Sequence, residues 1–146
     1  MPTFMRQINV ISRCGAMYRG EKFKDINLKA PHHSYIMKVC SSPGISQEQL
    51  AKHICVDKSN VTRQLSYLEQ EGFVKRHHSE DDKRVILVYP TQKAFDVLSK
   101  VKETTSFWNE YITRGFTEEE LEMLSSMMGK MAKRAREYFE ENEREK

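Results

Sequence analysis

Two clusters of side chains in this 146-residue chain have types and spacing suited to chemistry. Ser59, Asn60, Thr62, Arg63, Ser66 and Tyr67 crowd hydrogen-bonding groups into nine residues, and Asp82 and Arg84 stand two apart in a charged stretch. Short hydroxyls and an amide match the donors and acceptors of base edges, and an arginine can fork onto guanine or a phosphate. That chemistry is recognition, without bond-breaking. The chain has no G-x-S-x-G elbow, no phosphate-cradling glycine loop and no H-E-x-x-H pair, so no enzyme and no cofactor are expected. Cys14, Cys40 and Cys55 form no C-x-x-C pair and fit reduced thiols. The histidines His32, His33, His53, His77 and His78 could ligate zinc, but no local spacing resembles a closed site. His53-x-Cys55 would be strained, and His77 and His78 on a strand would point to opposite faces. No metal site is expected.

The elements that must hold the recognition residues lie between residues 45 and 89. Ser46 with Gln49 forms a capping box that opens a helix carrying Leu50, Ala51 and Ile54 on one face. The run breaks at Val56-Asp57, and Asp57 can cap a second helix about three residues after the first ends. In that second helix Val61, Leu65 and Leu68 recur at i, i+4 and i+7 and define a buried face. Ser59, Thr62, Arg63 and Ser66 lie opposite, flanked by Asn60 and Tyr67. Gly72 is placed to end the helix in a left-handed conformation. Residues 73–78 read as a half-buried strand, 79–83 as a polar turn, and 84–89 as a β-branched return strand. The layout is a winged helix-turn-helix.

The run from Asn60 to Val74, N-V-T-R-Q-L-S-Y-L-E-Q-E-G-F-V, resembles the recognition helix and first wing strand of the MarR transcriptional regulators. Asp82-Lys83-Arg84 is similar to that family's D-x-R wing signature, in which the arginine enters the minor groove and the aspartate orients it. The hairpin exit, Tyr89 to Ala94, departs from the family, which often has a leucine-threonine pair and a glycine there. The resemblance implies a sequence-specific regulator that binds double-stranded DNA, a palindromic operator, as a homodimer. It implies a repressor released by a small phenolic or amphipathic effector, with His32, His33, Tyr35, Ile36 and Met37 as candidates to line the effector cleft. Peroxide-sensing members carry a first-helix cysteine followed four residues later by a tyrosine, as Cys14 and Tyr18 are here, so Cys14 is a redox candidate. The thiol also lies at the edge of an apolar stripe, where packing would explain it. A winged protein-interaction module without DNA binding is the other alternative. Arg63 and Arg84 argue against it.

Composition fits one chain of α+β, mostly helical class. Hydrophobic residues make up 38% and charged residues 31%, and the net charge is only +3. Between Asp57 and Arg84 six cations meet six anions, so DNA binding has to come from placed residues and not from a basic field. No run approaches a membrane span and no signal sequence is visible, so a cytoplasmic protein is expected. Residues 31–90 would form the DNA-binding lobe of the 1–146 chain. Residues 3–25 and 91–143 would form a helical dimerisation region, because long apolar seams need a partner. Those seams are Phe4, Ile8, Ile11, Gly15 and Tyr18 first. Ala94, Leu98, Val101, Thr105, Trp108 and Ile112 follow a Thr91 cap. Leu121, Leu124, Met128, Met131, Ala135 and Tyr138 follow a Thr117–Glu120 capping box.

Overall fold

The computed structural model describes residues 3–145; Met1, Pro2 and Lys146 of the expected 1–146 span lie outside them. The elements run α1 (Phe4–Lys22), a short 3-10 turn (Lys24–Ile26), α2 (His32–Ser41), β1 (Ile45–Ser46), α3 (Gln47–Ile54), α4 (Lys58–Gln70), β2 (Val74–His78), β3 (Ile86–Pro90), α5 (Gln92–Ile112) and α6 (Glu118–Arg144). They fall into two compact units, one ending at Trp108 and the other beginning at Asn109. Among the described residues no helix is long and apolar enough to cross a membrane.

Local sequence accounts for the helix ends in the first unit. Ser46 Oγ accepts the Gln49 N–H at 3.1 Å, and Gln49 Oε1 accepts the Ser46 N–H at 3.4 Å, so each satisfies an otherwise unpaired donor. Three residues separate α3 from α4, and Cys55 turns the chain there with φ of 67°. Asp57 Oδ1 then caps α4 by accepting the Asn60 N–H at 2.7 Å. At the other end Gly72, with φ of 82°, closes a Schellman motif. The Phe73 N–H reaches back to Leu68 O at 2.8 Å and the Gly72 N–H to Glu69 O at 3.0 Å.

The three-stranded antiparallel sheet has the order β1-β3-β2, with Ile45 opposite Val88 and Arg76 opposite Val88 on the other side. Two features differ from the sequence expectation. β1, only two residues long, is too short to show alternation and forms only through its distant partner β3. The return strand, expected from Arg84, starts at Ile86. The Val85 N–H donates to Asp82 O and the Ser79 N–H to Val85 O, which closes a longer turn that includes Arg84.

One continuous core lies beneath these elements. Val61, Leu65 and Leu68 of α4 pack with Tyr35, Ile36 and Val39 of α2, Leu50 of α3, Phe73, Val88 and Ala94. All ten are at most 1% exposed, which contributes about 1.5–3 kcal/mol for each large side chain. Thr91 precedes α5 as expected, but its hydroxyl does not cap that helix. It donates to Gly72 O at 2.6 Å, with Phe73 O at 3.0 Å, tying the start of α5 to the end of α4. The buried row of α5 is Ala94, Val101 and Thr104. Thr104 replaces the expected Thr105, which is only partly buried and whose hydroxyl turns back to Val101 O.

In α1 only Gly15 is buried. A Cβ there would stand 3.0 Å from Trp108 Nε1, so the indole needs the glycine. Tyr18 stacks on Trp108 and Phe107 with ring centroids 5.4 and 5.7 Å away. Phe4 and Ile11, expected on the same face, remain exposed. In the second unit, the Thr117–Glu120 capping box forms as expected. Three glutamates in the first turn of α6 suit the positive end of its dipole. Leu121, Met128 and Tyr138 of its apolar seam are exposed, and α6 buries no residue.

Candidate nucleic-acid interface

The polar face of α4 is set by the buried one. With Val61, Leu65 and Leu68 turned inward, the helical period places Ser59, Thr62, Arg63 and Ser66 outward, and all four are exposed. Their hydroxyls are already oriented. Ser59 Oγ donates to Asp57 Oδ1 at 2.8 Å, Thr62 Oγ1 to Lys58 O at 2.8 Å, and Ser66 Oγ to Thr62 O at 2.8 Å. Hydrogen bonds from the Asn60 N–H and then the Ser59 hydroxyl, with Arg63 close by, hold the Asp57 carboxyl below its ordinary range. Asn60 faces partly inward, its Oδ1 accepting the Tyr35 hydroxyl at 3.4 Å.

The hairpin carries the second cluster. Arg84 donates through Nε to Asp82 Oδ1 and through an Nη to Oδ2, both at 3.1 Å, a bidentate fork two residues wide. Those bonds lower the Asp82 carboxyl and raise the Arg84 guanidinium from their ordinary values. The Arg84 side chain is nevertheless 91% exposed, so the aspartate aims it while it remains open to a ligand. At the base of the wing Arg76 of β2 braces α4. Its guanidinium donates to Glu69 Oε1 and Ser66 Oγ, and its backbone N–H to Glu69 Oε2. The hydrogen bond from Arg76 holds the Glu69 carboxyl down.

Tyr67 and His32 lie elsewhere than their residue types suggest. The Tyr67 hydroxyl donates to Asn27 O at 2.8 Å and its ring stacks on His32 at 4.8 Å, which holds it against the loop before α2. His32, which a helix-start position would leave in solvent, is 0% exposed. Its Nδ1 accepts the Lys29 N–H at 2.9 Å, so Nε2 carries the proton and donates to Gln64 Oε1 at 2.8 Å. Burial pushes the ring below the ordinary histidine value, against the opposing effect of Gln64. Of the other residues considered for an effector cleft, Tyr35 and Ile36 are buried in the core. Met37 and His33 are partly exposed, with His33 Nδ1 on Ala30 O at 3.0 Å. Cys14 is exposed on α1. No group of three or more metal-ligating side chains occurs among the described residues.

Sequence reasoning missed Gln47 and Arg76, which act on α4 from other elements, and Gln64 of α4 itself, which ties the helix to His32. Gln64 and Arg76 could not be assigned without knowing which segments meet. For Gln47 the signal was its place directly after the N-cap of the helix preceding α4.

A polar, solvent-facing second helix beside a wing whose arginine is aimed by its own aspartate defines a winged-helix DNA-binding transcriptional regulator. The MarR family matches residues 28–86. Over 91% of its length the chain is 30% identical to YybA of Bacillus subtilis (strain 168), an uncharacterized HTH-type transcriptional regulator of which it covers 89%. The chain belongs to the MarR family. It is similar to the crystal structure of the transcriptional regulator SlyA, with a TM-score of 0.91, 28% identity, and coverage of 95% of this chain and 98% of that one. A Listeria monocytogenes regulator assigned to the same family and crystallised with 26mer DNA matches with a TM-score of 0.89, 26% identity, and coverage of 94% and 91%. The protein is therefore a DNA-binding transcriptional regulator and not an enzyme. The reading as an interaction module without DNA binding is set aside.

Proposed function

We propose that the protein is a cytoplasmic repressor that binds a palindromic operator as a homodimer and leaves it when a small effector binds. The observation that carries this reading is the pairing of the exposed α4 face with the Asp82–Arg84 fork. In it Ser59, Asn60, Thr62, Arg63 and Ser66 meet the major groove, Arg84 reaches the minor groove and Asp82 keeps it aimed. The lobe of residues 31–90 carries the DNA contacts, and residues 3–25 with 91–143 pair two copies. Support for pairing comes from the exposed apolar side chains of α1 and α6, among them Phe4, Met5, Ile11, Met127, Met128 and Phe139, more than a lone chain ordinarily leaves to water. Two-fold symmetry would set the recognition helices about 34 Å apart, one turn of the duplex. The effector, phenolic or amphipathic, would act near α2, where Met37 and His33 are within reach. His32 and Tyr35 would have to give up internal hydrogen bonds to take part.

The test is a salt titration of DNA affinity on an operator selected from random sequences, with light scattering for mass. Arg84→Ala and Arg63→Ala each weaken binding, and Arg63→Ala also relaxes preference at one position by about 1–3 kcal/mol. Unchanged affinity in both variants, or a monomer on the operator, overturns the proposal.

A second reading is favoured by the exposure of Cys14, whose thiol is open to oxidant in the single chain. In that reading oxidation of Cys14 releases DNA. Peroxide should then dissociate the wild-type complex and leave Cys14→Ser bound, whereas equal release from both excludes it.

A further inference from the structure

We infer that Gln47 is a positioning residue for sequence discrimination, acting through Thr62; the inference rests on the reading of α4 as the recognition helix. Gln47 is the first residue of α3, immediately after the Ser46 cap, so it is presented from the other helix of the helix-turn-helix. Its Nε2 donates to Thr62 Oγ1 at 2.9 Å, while the Thr62 hydroxyl donates its own proton to Lys58 O at 2.8 Å. A threonine hydroxyl has one proton and two acceptor positions. Both bonds together spend the proton and one acceptor, and they hold χ1 in a single well that an exposed threonine would otherwise leave.

What remains for DNA is one acceptor position beside the γ-methyl. In the major groove that acceptor complements only the exocyclic amino groups, N6 of adenine and N4 of cytosine. It repels guanine O6 and N7, thymine O4 and every phosphate oxygen. Ser59 and Ser66 likewise spend their protons inside the protein, so Arg63 is left as the donor among these four outward residues. Gln47 thus fixes the polarity of the Thr62 contact without touching a base. A stabilising role alone accounts poorly for the residue: Gln47 Oε1 is buried and accepts no hydrogen bond among the described residues, an arrangement that works against folding.

The experiment selects binding sites from a random duplex library with the full-length wild type, Gln47→Met, Thr62→Ala and the double variant, and records each protein's thermal midpoint. Gln47→Met keeps the side-chain volume between α3 and α4 and removes the carboxamide, its Nε2 donor and its unpartnered Oε1 together. The wild type should prefer one base pair at the position that Thr62→Ala relaxes, and replacing that pair's adenine or cytosine with an analogue lacking the exocyclic amino group should cost the wild type that preference. Gln47→Met should reduce that preference about fivefold, leave the other positions alone and keep its midpoint. The double variant should match Thr62→Ala, because the two residues act as one. A uniform loss at all positions would make Gln47 a phosphate contact or a folding residue and overturn the inference. So would no change, or undiminished wild-type binding to the duplex carrying the analogue that lacks the amino group. A wild type that selects no sequence at all overturns the recognition-helix reading, and the inference with it.

Discussion

Lowering the pH from 7.5 to 5.0 should destabilise the folded protein through His32. The ring is fully buried, with Nδ1 committed as acceptor to the Lys29 N–H and Nε2 as donor to Gln64. A second proton can enter only at Nδ1, where it would face another N–H. The folded chain therefore resists protonation, and the folded value lies below the ordinary one. For a histidine depressed in this way, stability is complete above the unfolded value of about 6.5 and is lost as pH falls below it, until the folded value is reached. The slope is at most about 1.4 kcal/mol per pH unit for one proton, so the limit between pH 7.5 and 5.0 is about 2 kcal/mol. Asp57, Glu69 and Asp82, whose values are also lowered, contribute stability that is lost only as pH falls through the carboxylate range beneath that window. His33 is depressed chiefly by burial, and His33→Gln serves as its control. The assay is urea unfolding at fixed protein concentration across the window, comparing wild type with His32→Gln. The glutamine can offer an acceptor and a donor but cannot titrate. The variant should be less stable at pH 7.5, having lost the stack on Tyr67, and should show a flatter profile below pH 6.5. A profile as steep as the wild type's would refute the assignment.

Two further changes probe the frame that carries α4. Leu65→Ala, at 0% exposure in the middle of α4, should cost about 2–5 kcal/mol by chemical denaturation; a loss under 1 kcal/mol would mean that the site collapses without harm. Gly72→Ala places a Cβ in open space, 4.0 Å from Lys93 Cδ, but at φ of 82°. It should cost about 1–2 kcal/mol from backbone strain alone, and a neutral result would show that the Schellman turn relaxes freely.

Much of this fold is written in local sequence, because its strongest determinants act over three or four residues. The Ser46–Gln49 and Thr117–Glu120 boxes, the Asp57 cap and the Gly72 turn each form as the spacing of the participants requires. The period of Val61, Leu65 and Leu68 likewise separated the core face of α4 from its polar face. What escaped depends on partners far along the chain. β1 is defined by Val88 and Leu87 some forty residues away. His32 is buried by Gln64 and Tyr67, and the Thr91 hydroxyl is drawn from its own helix by the carbonyl of Gly72. Of the residues expected to contact DNA, Ser59, Thr62, Arg63 and Ser66 sit outward as their spacing indicated. Tyr67 is partly exposed, its hydroxyl on the Asn27 carbonyl and its ring on His32, a placement that depends on the loop before α2 and not on the helical period.

The ties on α4 have a mechanical consequence. Its middle is fastened to α2 through Gln64 and to the preceding loop through Tyr67. Its far end is fastened to α5 through Thr91 and through Lys93, whose Nζ donates to Glu71 O at 2.6 Å. A helix gripped at several points along its length cannot swivel in its seat without losing several hydrogen bonds together. The cheaper motion turns the whole lobe as a single plate. Any influence that shifts this helix on DNA therefore has to grip the plate at its margin, and a substitution that cuts one tie should loosen the helix locally without imitating that motion.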